Sequence, residues 1–252
     1  MSTVSDARRA TRADICAVAC AEAFRGDGEI LVSPMGVVPR LGARLARRTF
    51  EPGLMLSDGE ATVLDEAGAV ESWMPFADVF ETLWSGKRHV MMGAAQIDRF
   101  GNQNISCVGD WARPKAQLIG TRGAPGNTIN HPTSYWIGRH SPRVFLPSVD
   151  VVCGVGYDRA ATLGDGARFH EVRRVITNLG VFDFESPGEG PATLRVRSLH
   201  PGVSASDVEA ATGFAVRGFD GDVPATRAPT PGELALLDEL DPDGRREREV
   251  AT

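Results

Sequence analysis

Apolar positions along the chain fall into short runs separated by polar turns, and the helical and extended periods alternate. From Thr11 to Phe24 the stretch TRADICAVACAEAF places small apolar residues at helical spacing. Arg12 and Asp14 sit in its first turn and Gly26 lies just beyond its end, so a helix is predicted. Ile30-Leu31-Val32 is too short for a helix and stops at Ser33-Pro34-Met35-Gly36, as a buried strand does. VVPRLGARLARRTF returns to helical spacing with an apolar and an arginine face, and Leu54-Met55-Leu56 forms the next strand after Pro52-Gly53. Strand, helix and strand in so short a span predict a parallel β-α-β unit with a right-handed crossover.

The alternation continues. Pro75 to Gly86 has proline in a first-turn position and glycine after the last apolar residue, which predicts a helix. His89 to Asp98 and Gln103 to Asp110, joined by Arg99-Phe100-Gly101-Asn102, read as a β-hairpin. Further strands are predicted at Ala116–Ile119, Val144–Leu146 with Val149–Val152, Arg173–Phe184 and Thr193–Leu199, followed by a capped helix over Ser204–Thr212. The fold class is therefore α/β, with an open, mixed but mainly parallel Rossmann-like sheet flanked by helices. Residues 1–219 form one domain. From 220 to 252 the composition shifts to prolines, then a short helix at Glu233–Leu240, then the charge run RREREV, expected as a peripheral, solvated tail.

Composition narrows the function. The 252 residues are 42% hydrophobic and 24% charged, enough for a sizeable core, and the net charge of −6 supplies no positive field for a nucleic-acid backbone. No apolar run approaches the ~20 residues needed to span a bilayer, and the first residues have no signal-peptide core. A soluble, cytoplasmic chain without a nucleic-acid or membrane partner is expected. Cys16, Cys20, Cys107 and Cys153 lack zinc spacing, as do the five histidines, so no metal is expected and the cysteines read as buried apolar residues.

Ligands of open α/β sheets bind beyond the carboxyl ends of the strands. Ser33 to Pro39 leads into a helix and offers backbone N–H groups to a phosphate or carboxylate, without a full dinucleotide signature. Thr121-Arg122-Gly123-Ala124-Pro125-Gly126-Asn127 combines backbone donors with a cation suited to an anion, or is simply a wide turn. Ser57-Asp58-Gly59-Glu60 offers a hydroxyl and carboxylates at a strand end, with no histidine nearby to complete a triad. The histidines read as structural, with His131 the exception through its closeness to the Gly-rich loop, and Trp73, Trp84, Trp111 and Trp136 read as packing residues. Arg40, Arg44, Arg47 and Arg48 form a basic stretch that suits either acyl-CoA phosphates or an acidic face.

Four blocks in order, GAAQIDRFGNQN (Gly93 to Asn104), RVFLPSVDVVCGVGY (Arg143 to Tyr157), VITNLGVFDF (Val175 to Phe184) and LHPGVSASDVEAATGF (Leu199 to Phe214), resemble the beta subunit of family I CoA transferases of the glutaconate type. The resemblance runs through most of Ile30 to Phe214. It implies the CoA-transferase fold, a homologous alpha subunit, an alpha2beta2 heterotetramer, an acyl-CoA at the interface and no cofactor beyond the CoA of the substrate. The candidate substrate-binding residues are Gln96, Thr121, Arg122, Gly123, Gly126 and Asn127. Members of this family form a glutamyl-CoA thioester on a glutamate in an E-S-G or E-N-G turn, which reads Ser57-Asp58-Gly59 here, and Arg122 replaces a glycine of the family's Gly-rich loop. Serine does not form the acyl-anhydride and thioester intermediates of a carboxylate. These departures, with PTSYWIGRHSPRVF (Pro132 to Phe145), resemble a ring-opening branch of the family from steroid-degrading bacteria. That resemblance implies hydrolytic carbon–carbon cleavage with the thioester retained, Ser57 and Asp58 in support and the general base on the alpha subunit. The alternative is CoA transfer, with Glu60 as the displaced nucleophile.

Overall fold

The computed structural model describes residues 8–251 except 60, 76, 77, 79, 80, 82–86 and 187. Thr11 caps α1 (Arg12–Ala23): its side chain accepts the Asp14 N–H while the Asp14 carboxylate accepts the Thr11 N–H. Then follow β1 (Leu31–Pro34), α2 (Val37–Thr49), β2 (Met55–Ser57), β3 (Thr62–Leu64), β4 (Val70–Trp73), β5 (Arg88–Met92), β6 (Gln96–Ile97), β7 (Gln103–Asn104), β8 (Cys107–Val108) and β9 (Ala116–Gln117). The chain continues through α3 (Ala124–Asn130), β10 (Pro132–Ile137), α4 (Tyr157–Ala160), β11 (Glu171–Thr177), β12 (Gly180–Glu185), β13 (Thr193–Leu199), α5 (Ala205–Ala211), α6 (Pro231–Leu240) and α7 (Arg246–Glu249).

Nine strands form one sheet in the order β13-β12-β11-β10-β5-β1-β2-β3-β4. The five central strands from β11 to β2 run parallel, and two antiparallel strands extend it at each end. The β1-α2-β2 unit read from the sequence is present. One face packs against α1, α2 and α6 through Phe24, Leu45, Leu54 and Leu237, and the other holds a second core around Tyr135, Phe145, Phe182 and Leu194 beneath α3 and long loops.

Several sequence expectations change. His89–Met92 is not one arm of a hairpin but part of a central strand, buried on both sides by β1 and β10. The chain leaves the sheet at Gly93, and the hairpin is confined to the two-residue strands β6 and β7. Val144–Val152 forms no strand: Pro147 interrupts it, and it instead lids the second core, with Phe145 bridged to Ile97 and stacked 3.6 Å from the ring of His140. Arg173–Phe184 is two antiparallel strands turning at Asn178-Leu179. Trp136 is core, whereas Trp73 and Trp111 are exposed; Trp84 and most of the helix expected over 75–86 lie outside the described residues.

The closing charge run is only partly solvated: Arg245, Glu247 and Arg248 are exposed, but the residues between and after them turn inward. Arg246 is buried and pairs with Asp14, Asp238 and Asp241, and Val250 enters the core beside α1 and α2. The four cysteines are free and buried, as expected of small apolar residues. No helix among the described residues is long and apolar enough to cross a membrane.

Candidate active site

A cavity of about 1090 Å³ opens at the carboxyl ends of β1, β2 and β5. Met35 and Gly36 line it after β1, Asp58 and Gly59 after β2, and Met92–Ala95 after β5; Arg122, Gly123 and Asn127 close the far side. This is the crevice where parallel strands diverge into loops on opposite faces of a sheet, and where ligands of such folds bind.

Of the residues singled out in the sequence, Asp58, Arg122, Gly123 and Asn127 meet around this cavity. Arg122 takes φ 47°, a left-handed backbone uncommon for a residue with a side chain and frequent where a site dictates the backbone. The stretch Thr121–Asn127, read as a Gly-rich anion-binding loop or a wide turn, is a short turn running into α3, so Gly126 and Asn127 are helical. The Asn127 N–H is committed to the Gly123 carbonyl at 2.9 Å, and the residue reaches the cavity as a lining side chain. Thr121 and Gly126 fall outside the lining, their carbonyls accepting from the Ala124 N–H and the Asn130 side chain.

Ser57 lies one layer behind the cavity wall, 3% exposed. Its hydroxyl donates to the Val32 carbonyl at 3.0 Å and accepts the Gly59 N–H at 3.2 Å, with Ser33 Oγ a further 3.0 Å contact. It shapes the Asp58-Gly59 turn. Gln96 is also a scaffold side chain: its amide donates to Asp150 and its oxygen accepts from the Asn104 side chain and the Asp150 N–H, tying the β6–β7 hairpin to the lid loop. Glu60 lies outside the described residues.

The anion-holding loop Ser33–Pro39 is filled from within the chain. The Glu249 carboxylate accepts the N–H groups of Val37 and Val38 at the start of α2. Gly36 has φ 115°, and a Cβ there would stand 2.7 Å from Glu249 Oε1, so glycine is what lets the carboxylate seat.

Arg88 was legible in the sequence only as a charged residue before a strand. It is 4% exposed, lines the cavity, donates from Nε to Ser33 Oγ at 2.7 Å and reaches Asn127 Oδ1 from Nη1 at 3.4 Å. Burial alone pushes its pKa down to about 10, leaving it charged at neutral pH. Arg40 also lines the cavity and donates to the Asp58 carbonyl at 2.9 Å. The rest of the basic stretch holds the β3–β4 hairpin and α6: Arg44 and Arg47 donate to the Ala67 and Leu64 carbonyls, and Arg48 pairs with Glu239. Three arginines against one described carboxylate make the cavity a receptor for anions.

The histidines do not enter the cavity lining. His131 is fully buried, its pKa pushed down to about 4 by burial and then by the charge of Arg88. His89 sits between Asp27 (Nδ1 to Oδ2, 2.7 Å) and Ser134 (Nε2 to Oγ, 2.9 Å), the connectivity of a hydrolytic triad. His89 and Ser134 are wholly buried, and Asp27 also pairs with Arg173, so this is a closed polar network joining the α1–β1 loop to β5, β10 and β11. Burial disfavours the Asp27 charge, yet the hydrogen bond with His89 and the charge of Arg173 hold its carboxyl below the usual range. No group of three or more His, Cys, Asp or Glu among the described residues is arranged to hold a metal ion.

No protein-family profile matches the chain. The cholesterol ring-cleaving hydrolase IpdB subunit of Rhodococcus jostii (strain RHA1) is 53% identical over 248 residues, covering 96% of each chain. The chain belongs to the IpdB family. The crystal structure of R. jostii IpdAB superposes with a TM-score of 0.91 at 52% identity, over 97% of this chain and 100% of that one. At greater distance, one subunit of the 3-oxoadipate CoA-transferase of Pseudomonas knackmussii is 31% identical, covering 96% of this chain and 92% of its own. The glutaconate coenzyme A-transferase of Acidaminococcus fermentans, at 23% identity and a TM-score of 0.78 over 93% of this chain and 96% of that one, shares the fold. IpdB members thus have the CoA-transferase fold that the sequence blocks implied.

Proposed function

We propose that this IpdB-family chain is the beta subunit of a cytoplasmic enzyme that hydrolyses a ring carbon–carbon bond of a steroid-derived keto-cyclohexene carboxyl-CoA, retaining the thioester. It works with a homologous alpha subunit in an alpha2beta2 heterotetramer and uses no cofactor beyond the CoA of its substrate. The observation that carries this reading is Ser57 at the turn where the transferase resemblance expects a nucleophilic glutamate, set beside a cavity lined by Arg40, Arg88 and Arg122.

The chemistry is of retro-Claisen type. A base on the alpha subunit takes a proton from water, whose oxygen adds to the ring ketone. The bond from that carbon to the carbon bearing the thioester breaks, and its electron pair becomes an enolate on the thioester side. The enolate is then protonated, and the former ketone carbon leaves as a carboxylate. Negative charge appears on oxygen twice, and fixed cations and N–H donors already in place stabilise it without reorganising. Arg122, held in a strained backbone state at the cavity wall, is the residue assigned to that charge.

The test is a thiol assay of the co-expressed complex with the ring thioester. Ring opening without release of free CoA, and independent of any added carboxylic acid, supports hydrolysis. Turnover only with an acceptor acid supports CoA transfer.

A further inference from the structure

The cavity wall holds a cation, Arg88, that pairs with no carboxylate among the described residues. The two acceptors on Arg88, Ser33 Oγ and Asn127 Oδ1, are neutral, and among the described residues no carboxylate forms an ion pair with it. His131, which feels its charge, is neutral at physiological pH and offers no compensation. The guanidinium reaches from β5 to lie between β1 and α3, the Asn127 contact coming from the helix and the Ser33 contact from β1. A buried guanidinium is costly unless an anion joins it, and its planar fork matches a carboxylate.

We propose that Arg88 is the carboxylate-binding residue of the cavity, receiving a carboxylate carried by the acyl group at the end remote from CoA. This deepens the reading above, resting on it for the thioester and not for the bond cleaved. The carboxylate has two possible sources of the same chemistry: a group already on the incoming acyl chain, or the one created when the ring opens. A permanent charge of either kind answers a permanently charged, preorganised side chain. Ser33 and Asn127 orient the fork, leaving its remaining N–H groups for the ligand.

The test uses the complex with its alpha subunit, titrated calorimetrically with glutaryl-CoA and pentanoyl-CoA, which differ by a terminal carboxylate in place of a methyl. The wild-type complex binds glutaryl-CoA at least about 30-fold more tightly, the size expected for a desolvated charge pair. Arg88→Met abolishes that preference, leaves pentanoyl-CoA affinity unchanged and leaves the melting temperature equal or higher, because an uncompensated buried charge has been removed. Arg88→Lys, with charge but no fork, gives an intermediate preference. A wild type without preference, or a variant that keeps it, overturns the proposal. So does a variant that loses both affinities together with thermal stability, which marks Arg88 as structural.

If the preference and its loss hold while ring opening is absent, the reaction assignment falls and the carboxylate subsite stands. With ring opening present, a raised KM in Arg88→Met identifies the substrate-borne carboxylate. Relieved product inhibition at unchanged KM identifies the one created by cleavage.

Discussion

Glu249 caps Val38: its carboxylate accepts the Val38 N–H at 2.6 Å, and the Val37 N–H at 3.1 Å, across more than two hundred residues of sequence. The end of the chain thus supplies the anion that neutralises the start of α2 at the rim of the cavity, a place where α/β folds often bind a ligand's phosphate. Glu249→Gln loses the charge, and Glu249→Ala loses the acceptors as well. Glu249→Ala is expected to cost about 1–2 kcal/mol, a fall in Tm of about 2–8 °C for a chain of this size, measured by calorimetry. No change would mean that water replaces the cap.

Arg246 carries a larger stake. It is 4% exposed and pairs with Asp14, which is fully buried, and with Asp241. Arg246→Ala leaves those carboxylates short of a partner, although Arg8 still reaches Asp14. The expected cost is about 3 kcal/mol, and denaturant unfolding measures it directly. Arg248→Ala, two residues along the same short helix and exposed, is the control, expected within about 0.5 kcal/mol.

Three buried histidines predict acid lability. Burial pushes His131 and His200 down to about 4 and His140 down to about 3, below the ordinary value of 6.5. In the unfolded chain they take up protons as pH falls through about 6.5, while in the folded chain they stay neutral. Their contribution is therefore complete above pH 6.5 and is lost as pH falls towards 4, by up to about 1.4 kcal/mol per pH unit for each histidine. A Tm profile flat between pH 6.5 and 4 would contradict this.

Arg122 tests strain against function. Glycine adopts its φ of 47° without the cost a side chain pays, so Arg122→Gly should leave stability within about 1 kcal/mol of the wild type. Turnover of the complex should fall about 100-fold, the scale of losing one charge-stabilising donor. Ser57→Ala should behave oppositely, costing about 1–2 kcal/mol of stability through the orphaned Gly59 N–H and reducing turnover less than tenfold. Reversal of these two patterns would move the chemistry from Arg122 to Ser57.

Much of this fold was legible locally. Helical spacing with Asp14 in the first turn announced α1, the capped pattern from Ser204 announced α5, and the short apolar runs around Val32 and Leu56 announced the parallel centre. What the sequence hid is long-range. Arg88 looks like any charged residue flanking a strand, and only the packing of α3 over β5 buries it. Glu249 and Arg246 sit in a charge run whose natural reading is solvation, and their partners lie near the other end of the chain. The hairpin turn was legible but its extent was not, because its buried residues Gln96, Gln103 and Asn104 are polar and mark no strand ends by hydrophobic alternation. The candidate site was half legible. Asp58, Arg122, Gly123 and Asn127 converge on the cavity, whereas Ser57 and Gln96 serve the walls behind it.

The central claim is the class of reaction, and mass spectrometry tests it most directly. The complex of this chain with its alpha subunit is given the keto-cyclohexene carboxyl-CoA in H₂¹⁸O, with and without an added carboxylic acid. The account predicts a ring-opened product that still carries CoA, is heavier by one ¹⁸O in its new carboxylate, and forms equally without the acid. Movement of CoA onto the added acid, with the ring intact and no label in the acyl group, would contradict it.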